Sequence, residues 1–303
     1  MTEPATVLDR RAVAIDWPAE VDFDVLRATH GDLADKDDAA MAFHWETYGR
    51  NEGRLASLAS LRETFVGLVP AEARVLEVGP FTHPMFEGPN VRYFDVLDGD
   101  ALRAWGRELG RDVGRVPEVI HYTPSLESAR GADFDIIFSC HNIEHHPDLI
   151  GHLRQAGEAV APGGVYMLVI PDRRFCFDHF LPDLDLASVV GAHVEKRALH
   201  TAKSVIEHRA FTCHNDTLRH WQGDHGPAPD GLDGRIDYAL NEIEAAAGGY
   251  IDVHAWQFTP DAFRRVLGGL HTLGLSPFRP LRIYSTPYGR NEFMAVLVRE
   301  PMA

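Results

Sequence analysis

Between residues 58 and 170, short apolar runs alternate with amphipathic stretches. Arg74-Val75-Leu76-Glu77-Val78 closes on Gly79-Pro80, and Val91–Asp95, Glu118–Tyr122, Phe134–Ser139 and Val165–Ile170 have the same character. Runs of this length, rich in β-branched and aromatic residues and bounded by turn formers, predict five strands. Asp100–Leu109 and Pro147–Val160 predict helices. In the second, Leu149, Ile150 and Leu153 share a face and Pro162-Gly163-Gly164 supplies a stop. Strands alternating with helices predict a doubly wound, mostly parallel α/β sheet covered on both faces. Pro260–Leu273 carries Phe263, Val266, Leu267 and Leu270 on one side, and Arg279–Thr286 and Glu292–Arg299, joined by PYGRN, predict a terminal antiparallel hairpin.

Outside this core the pattern changes. Residues 1–20 are polar, contain two prolines and show no periodicity, which predicts a mobile tail. Asp37 or Asp38 can cap a helix placing Met41, Trp45 and Tyr48 on one face, with Gly49 or Gly53 as its end. AAMAFHWETYGRNEGR resembles a short helical module of bacterial glycan-related proteins, and its aromatics are expected to dock the preface on the main domain, with a substrate-facing role as the alternative. The core pattern stops after Ile170 and resumes at Pro260. The organisation read from the chain is 1–56 for tail and helical module, and 57–171 for the first part of the core. A histidine-rich insert or lid follows at 172–259, with a helical stretch expected over 184–203, and 260–303 supplies the last helix and hairpin.

Charge narrows the partners. With 45 acidic and 29 basic residues the formal charge is −16, the opposite of what nucleic acid or an anionic membrane surface selects. No apolar run approaches the ~20 residues of a membrane helix, and the first residues lack the pattern of a secretion signal. Cys140, Cys176 and Cys213 are odd in number and widely spaced. They read as reduced thiols of a cytoplasmic protein.

Four segments carry the chemistry: VLEVGPF at 75–81, VRYFD with Asp95 eighteen residues after Glu77, FDIIFSCHNIEHHPDL at 134–149, and the stretch ending APGGVYMLVIP. Together with the element order they resemble the class I S-adenosylmethionine-dependent methyltransferases, over roughly 58–170 and 260–299. The resemblance implies a Rossmann-like sheet with an antiparallel terminal hairpin, S-adenosylmethionine as cofactor, and Glu77, Gly79, Pro80, Asp95, Ser125, Leu126 and His141 as its contacts. The physics agrees at two positions. A glycine after the first strand admits the ligand's backbone-like portion, and an acid after the second accepts hydrogen bonds from ribose hydroxyls. The family's G-x-G-x-G is not kept, because Gly79 is followed by Pro80, Phe81, Thr82, His83 and Pro84.

Methyl transfer needs an in-line approach and often a base, for which histidine is suited. His145 and His254 are the candidates, with Asp172 as the carboxylate to orient either one. His141, Asn142 and Glu144 are further candidates for contact with cofactor or acceptor. Seven histidines (His179, His193, His200, His208, His214, His220 and His225) crowd into 47 residues of the insert. A polar lid touching a small-molecule acceptor is the favoured reading. A divalent metal is weighed against it because imidazole and carboxylate are metal ligands. No ligand spacing stands out. The function expected is methyl transfer to oxygen or nitrogen of a polar small molecule, a carbohydrate or natural product. The competing class is a metal-dependent hydrolase or isomerase on the same fold, centred on the insert.

Overall fold

Two strands buried on both faces organise the molecule. Ile136 and Phe138 of one, and Met167 and Val169 of the other, face one layer; Ile137, Tyr166, Leu168 and Ile170 face the opposite layer. In the computed structural model, residues 12–227 and 231–300 are described. The strands are β1 (Val75–Val78), β2 (Val91–Phe94), β3 (Phe134–Cys140), β4 (Val160–Pro171), β5 (Phe278–Tyr284) and β6 (Glu292–Arg299). They form one sheet in the order β2-β1-β3-β4-β6-β5. β2, β1, β3 and β4 run parallel, while β6 is antiparallel to both β4 and β5.

The helices are α1 (Phe23–Thr29), α2 (Asp38–His44), α3 (Arg62–Gly67), α4 (Gly99–Glu108), α5 (Leu149–Ala159), α6 (Leu186–Val194), α7 (Ala202–Ala210), α8 (Thr217–Trp221), α9 (Leu232–Ala246) and α10 (Pro260–Thr272). Apolar faces of α5 and α10 cover one side of the sheet through Leu149, Leu153, Phe263 and Leu267. Phe65 of α3 and Trp17 help cover the other. α7 and α9 of the insert share a small cluster of Val205, Ala239 and Val253. Among the described residues no helix is long and apolar enough to cross a membrane.

The predicted parallel core, the α4, α5 and α10 helices and the terminal hairpin are present, with five local corrections. Glu118–Tyr122 is not a strand. Tyr122 makes one parallel bridge with Phe94, and Val119 is exposed, so no layer stabilises the run. Pro162-Gly163-Gly164 does not end α5, which stops at Ala159. It forms an irregularity inside β4, where pairing jumps from Phe134↔Val160 to Ile136↔Val165.

In the preface, Asp37 caps α2, but the next turn is π-helical over Trp45–Gly49. The wider turn leaves Met41 and Trp45 buried and Tyr48 exposed. The helix expected over 184–203 is interrupted after Val194, with Lys196 in the left-handed region, before α7 begins. The predicted tail falls partly outside the described residues. Residues 12–20 are anchored, because Trp17 packs near Phe65 and the Pro18 carbonyl accepts from Arg282 and Tyr284.

One glycine in α5 tests how tightly this layer is packed. A Cβ on Gly157 would lie 2.4 Å from Pro277 Cγ, a ring that cannot rotate away. Gly157→Ala gains ~1 kcal/mol of helix propensity, while overpacking costs ~1–3 kcal/mol. The expected outcome is a lower urea midpoint with unchanged m, read by circular dichroism.

Candidate active site at the carboxyl ends of the strands

The parallel strands end together, so Gly79, Asp95, His141 and Asp172 mark one rim of the sheet, where open α/β sheets bind ligands. Gly79 has φ +69°, and a Cβ there would meet the Asn142 side-chain nitrogen at 2.7 Å. Asn142 is held from behind: its Oδ1 accepts from His146 Nε2 at 2.9 Å. His146 stacks on His152 at 3.6 Å, and His152 reaches the Tyr166 hydroxyl, itself 3.1 Å from Ser139. Burial lowers the pKa of both histidines, that of His152 to about 3. They are therefore neutral supports for Asn142.

Glu77 does not face the rim. It is buried under the loop that follows β1 and accepts the amides of Met85 and Phe86 at 2.8 and 3.1 Å. Its role is to shape that loop, where Pro80 is buried and Phe81 packs against Trp105 at 4.9 Å. Burial outweighs the two amide bonds and raises the Glu77 pKa to about 7.

Asp95 does sit at the rim. Its carboxylate accepts the Leu97 amide, and burial raises its pKa to about 6. Ser125 caps the short turn Leu126–Ala129, and Leu126 is buried in the core. His141, with φ +48°, places Nε2 2.8 Å from Glu292 Oε2, where Arg62 also binds. Burial would push Glu292 up, but His141 and Arg62 outweigh it and hold the carboxyl at about 2.

The two candidate bases lie side by side, their rings 4.8 Å apart and crossed at 87°. Their orienting groups are Asp252, 3.0 Å from His145 Nδ1, and Asp178, 2.6 Å from His254 Nδ1. Asp172 is corrected out of that role: its carboxylate is taken by Arg174 and Thr286. On their other edges both rings face Glu144, with Nε2 to Oε1 separations of 3.9 and 4.0 Å. Burial would lower the His145 pKa, but Asp252 and Glu144 outweigh it and raise it. The sequence reading missed Asp178, Asp252 and Glu292. Asp252 lies two residues before His254, but Asp178 and Glu292 come from distant segments and leave no local signal.

The insert's histidines divide by partner. His193 pairs with Asp148, and His214 bonds the Asp224 carbonyl and the Asp216 amide. His208 receives the His254 amide, and His200 packs beside Tyr250. His179, His220 and His225 gather in a stack. His179 Nδ1 meets the Arg174 carbonyl, His220 Nε2 meets the His214 carbonyl, and His220 Nδ1 lies 3.0 Å from His225 Nδ1. Phe175 stacks on Trp221 at 3.6 Å, and a Cβ on Gly53 would lie 2.5 Å from the Trp221 ring, so insert and preface touch here. A mostly apolar cavity of about 510 Å³ lies elsewhere, among Ala12, Ile15, Trp17, Val165 and Val298.

A family model described as a methyltransferase domain matches residues 49–226, more than half of the chain. Comparison with curated protein sequences gives no match. Among solved structures, similarity extends to an S-adenosylmethionine-dependent methyltransferase from Mesorhizobium loti, at 16% identity and TM-score 0.28 over 38% of this chain and 55% of that one. The PH0226 protein of Pyrococcus horikoshii is 11% identical, with TM-score 0.39 over 85% and 99%. The magnesium protoporphyrin IX methyltransferase of Synechocystis is 12% identical, with TM-score 0.35 over 87% and 100%. The chain spans 55% of the length of two of the solved proteins it resembles.

Glu77 provides a pH test of the loop under which it is buried. Its folded pKa, about 7, lies above the ordinary 4.5, so the folded state holds the proton more tightly. Its contribution is fully present below pH ~4.5 and is lost as pH rises through ~7, by up to ~3 kcal/mol at ~1.4 kcal/mol per pKa unit. Glu77→Gln is expected to flatten this part of the stability profile, measured by urea unfolding between pH ~5 and ~7.

Proposed function

Because the chain belongs to the methyltransferase domain family, we propose that it transfers the methyl group of S-adenosylmethionine to an oxygen or nitrogen of a polar small molecule. The observation that carries this reading is the rim itself: Gly79, bare of a side chain and walled by Asn142, stands one strand away from the buried acid Asp95. These residues fit the cofactor. The cradle at Gly79 is one a Cβ would fill, and Asp95 has acceptor capacity for ribose hydroxyls. When bound, S-adenosylmethionine supplies an electrophilic methyl group on a sulfonium sulfur.

The protein's part is placement. Asp95 holds the ribose, Gly79 and Pro80 pass the backbone close to the methionine portion, and Asn142 presents its amide nitrogen towards Gly79. Ser125 and Leu126 stiffen the turn beside them, and His141 is fixed by Glu292 on the far side. The insert over 172–259 stands on the acceptor side and restricts water. With its Nε2 free of metal, His145 or His254 takes the proton that the nucleophile loses. A charge of −16 supports a small-molecule acceptor over nucleic acid or an anionic membrane, and the glycan-related preface supports a carbohydrate or glycoconjugate.

Two measurements test this. S-adenosylmethionine or S-adenosylhomocysteine at ~100 times its dissociation constant is expected to add ~2.7 kcal/mol of stability, read as a melting shift. No shift with either at millimolar concentration overturns the reading. Asp95→Ala is expected to weaken binding by roughly 10- to 150-fold in calorimetry, the loss of a hydrogen bond to a charged group. The ionised carboxylate is the better acceptor. Wild-type affinity is therefore expected to rise as pH passes through about 6, the raised Asp95 pKa, and Asp95→Asn to be flat there.

A further inference from the structure

We infer that Glu144, His145 and His254 form a binding site for one divalent transition-metal cation, of the two-histidine, one-carboxylate kind. The first observation is Glu144. It is 0% exposed, and neither carboxylate oxygen has a hydrogen-bond partner among the described residues. A buried carboxylate without partners is strongly disfavoured unless a cation neutralises it.

The second observation is the direction of the two rings. Asp252 and Asp178 occupy the Nδ1 edges of His145 and His254. At His254 the hydrogen bond to Asp178 fixes the proton on Nδ1 and turns the Nε2 lone pair outwards, as for metal-bound histidines. At His145, Asp252 lies beside Nδ1 without hydrogen-bond geometry. The Nε2 atoms of both rings face the same Glu144 oxygen, at 3.9 and 4.0 Å. Those separations exceed hydrogen-bond length, so neither ring satisfies the carboxylate directly, whereas a cation held among the three side chains would. Metal–ligand bonds of ~2.0–2.2 Å set ligands ~3–3.5 Å apart, so the carboxylate–imidazole separations contract by about 0.4–1 Å on binding. Candidate ligand atoms of Glu144, His145 and His254 all lie within 4.8 Å of one another.

Donor chemistry selects the ion. Two imidazoles with one carboxylate suit zinc, iron or manganese in the divalent state over magnesium or calcium, which prefer oxygen. Three protein ligands leave coordination positions open, and His145 is the partly exposed member of the set. Glu144 and His145 follow Asn142, which walls Gly79, so these positions open beside the proposed acceptor site. The inference stands on these side chains and does not depend on the methyl-transfer reading.

The test uses the full chain without a histidine tag, stripped with a chelator and dialysed against Zn²⁺ or Co²⁺. Mass-spectrometric metal counting and the visible d–d absorption of bound Co²⁺ are the readouts. One tightly held equivalent is expected. Glu144→Gln, which keeps the shape, and His254→Ala are each expected to weaken binding at least 100-fold. Asp252→Asn, at a half-exposed orienting carboxylate, is expected to weaken it 10- to 100-fold. His225→Ala, in the separate His179/His220/His225 stack, is expected to retain the equivalent. A folded chain that takes up no Zn²⁺ or Co²⁺ at micromolar concentration overturns the inference. So does a Glu144→Gln variant with wild-type affinity, or loss of metal in His225→Ala with retention in Glu144→Gln. S-adenosylmethionine binding is measured on the same preparations. Absent metal with intact cofactor binding defeats this inference alone, whereas bound metal without cofactor binding defeats the methyl-transfer reading alone.

Discussion

The parallel pairing of β1 with β3 is the constraint on which the rim depends. Val78 lies opposite Ser139, so the chain leaving β1 at Gly79 and the chain leaving β3 towards Asn142 emerge side by side. At that separation only one of them can carry bulk. Asn142 does, Gly79 does not, and the left-handed backbone at Gly79 follows from the same crowding. His146, His152 and Tyr166 carry this arrangement inward, linking the wall of the site to the centre of the sheet. The register is fixed by strands buried on both faces, where a slip of one residue would exchange the two apolar layers.

The parallel sheet, the capped α5 and α10, and the hairpin were legible because each rests on local pattern. Burial on both faces writes continuous apolar runs, and one-sided burial writes a 3.6-residue stripe. Where the pattern misled, tertiary context decided. Glu118–Tyr122 has strand-like residues but no covering layer, and Pro162-Gly163-Gly164 is absorbed as an irregularity because both ends of β4 are paired. Tyr48 turned outwards through one wide helical turn, which its spacing from Met41 does not reveal.

The site was legible only in part, for a related reason. Gly79 and Asp95 could be read because strand ends have local signatures. The use made of Glu77, Asp172 and the insert's histidines depends on partners that no motif or periodicity marks. Glu77 meets amides eight and nine residues on, and Asp172 meets Thr286. The convergence on Glu144 draws its oriented rings from residues 145 and 254, held by 252 and 178. No local spacing rule applies to ligands gathered from two segments about 110 residues apart. The crowd of histidines in the insert dissolves into pairs, backbone bonds and a stack, while the ring most central to the site, His254, lies outside that crowd.

Trp221 gives the insert a mechanical property. Its ring rests over Gly53 of the preface and stacks on Phe175, and its Nε1 donates to the Arg290 carbonyl in the hairpin turn, where the Tyr288 amide donates to Gly53. Three parts of the chain, some 235 residues apart in sequence, are thus latched at a single indole. Any opening of α8 has to lift that ring from Gly53 and break the bond to the hairpin in the same motion. The indole thus couples the position of α8 to both preface and hairpin, so that displacing any one of the three disturbs the other two.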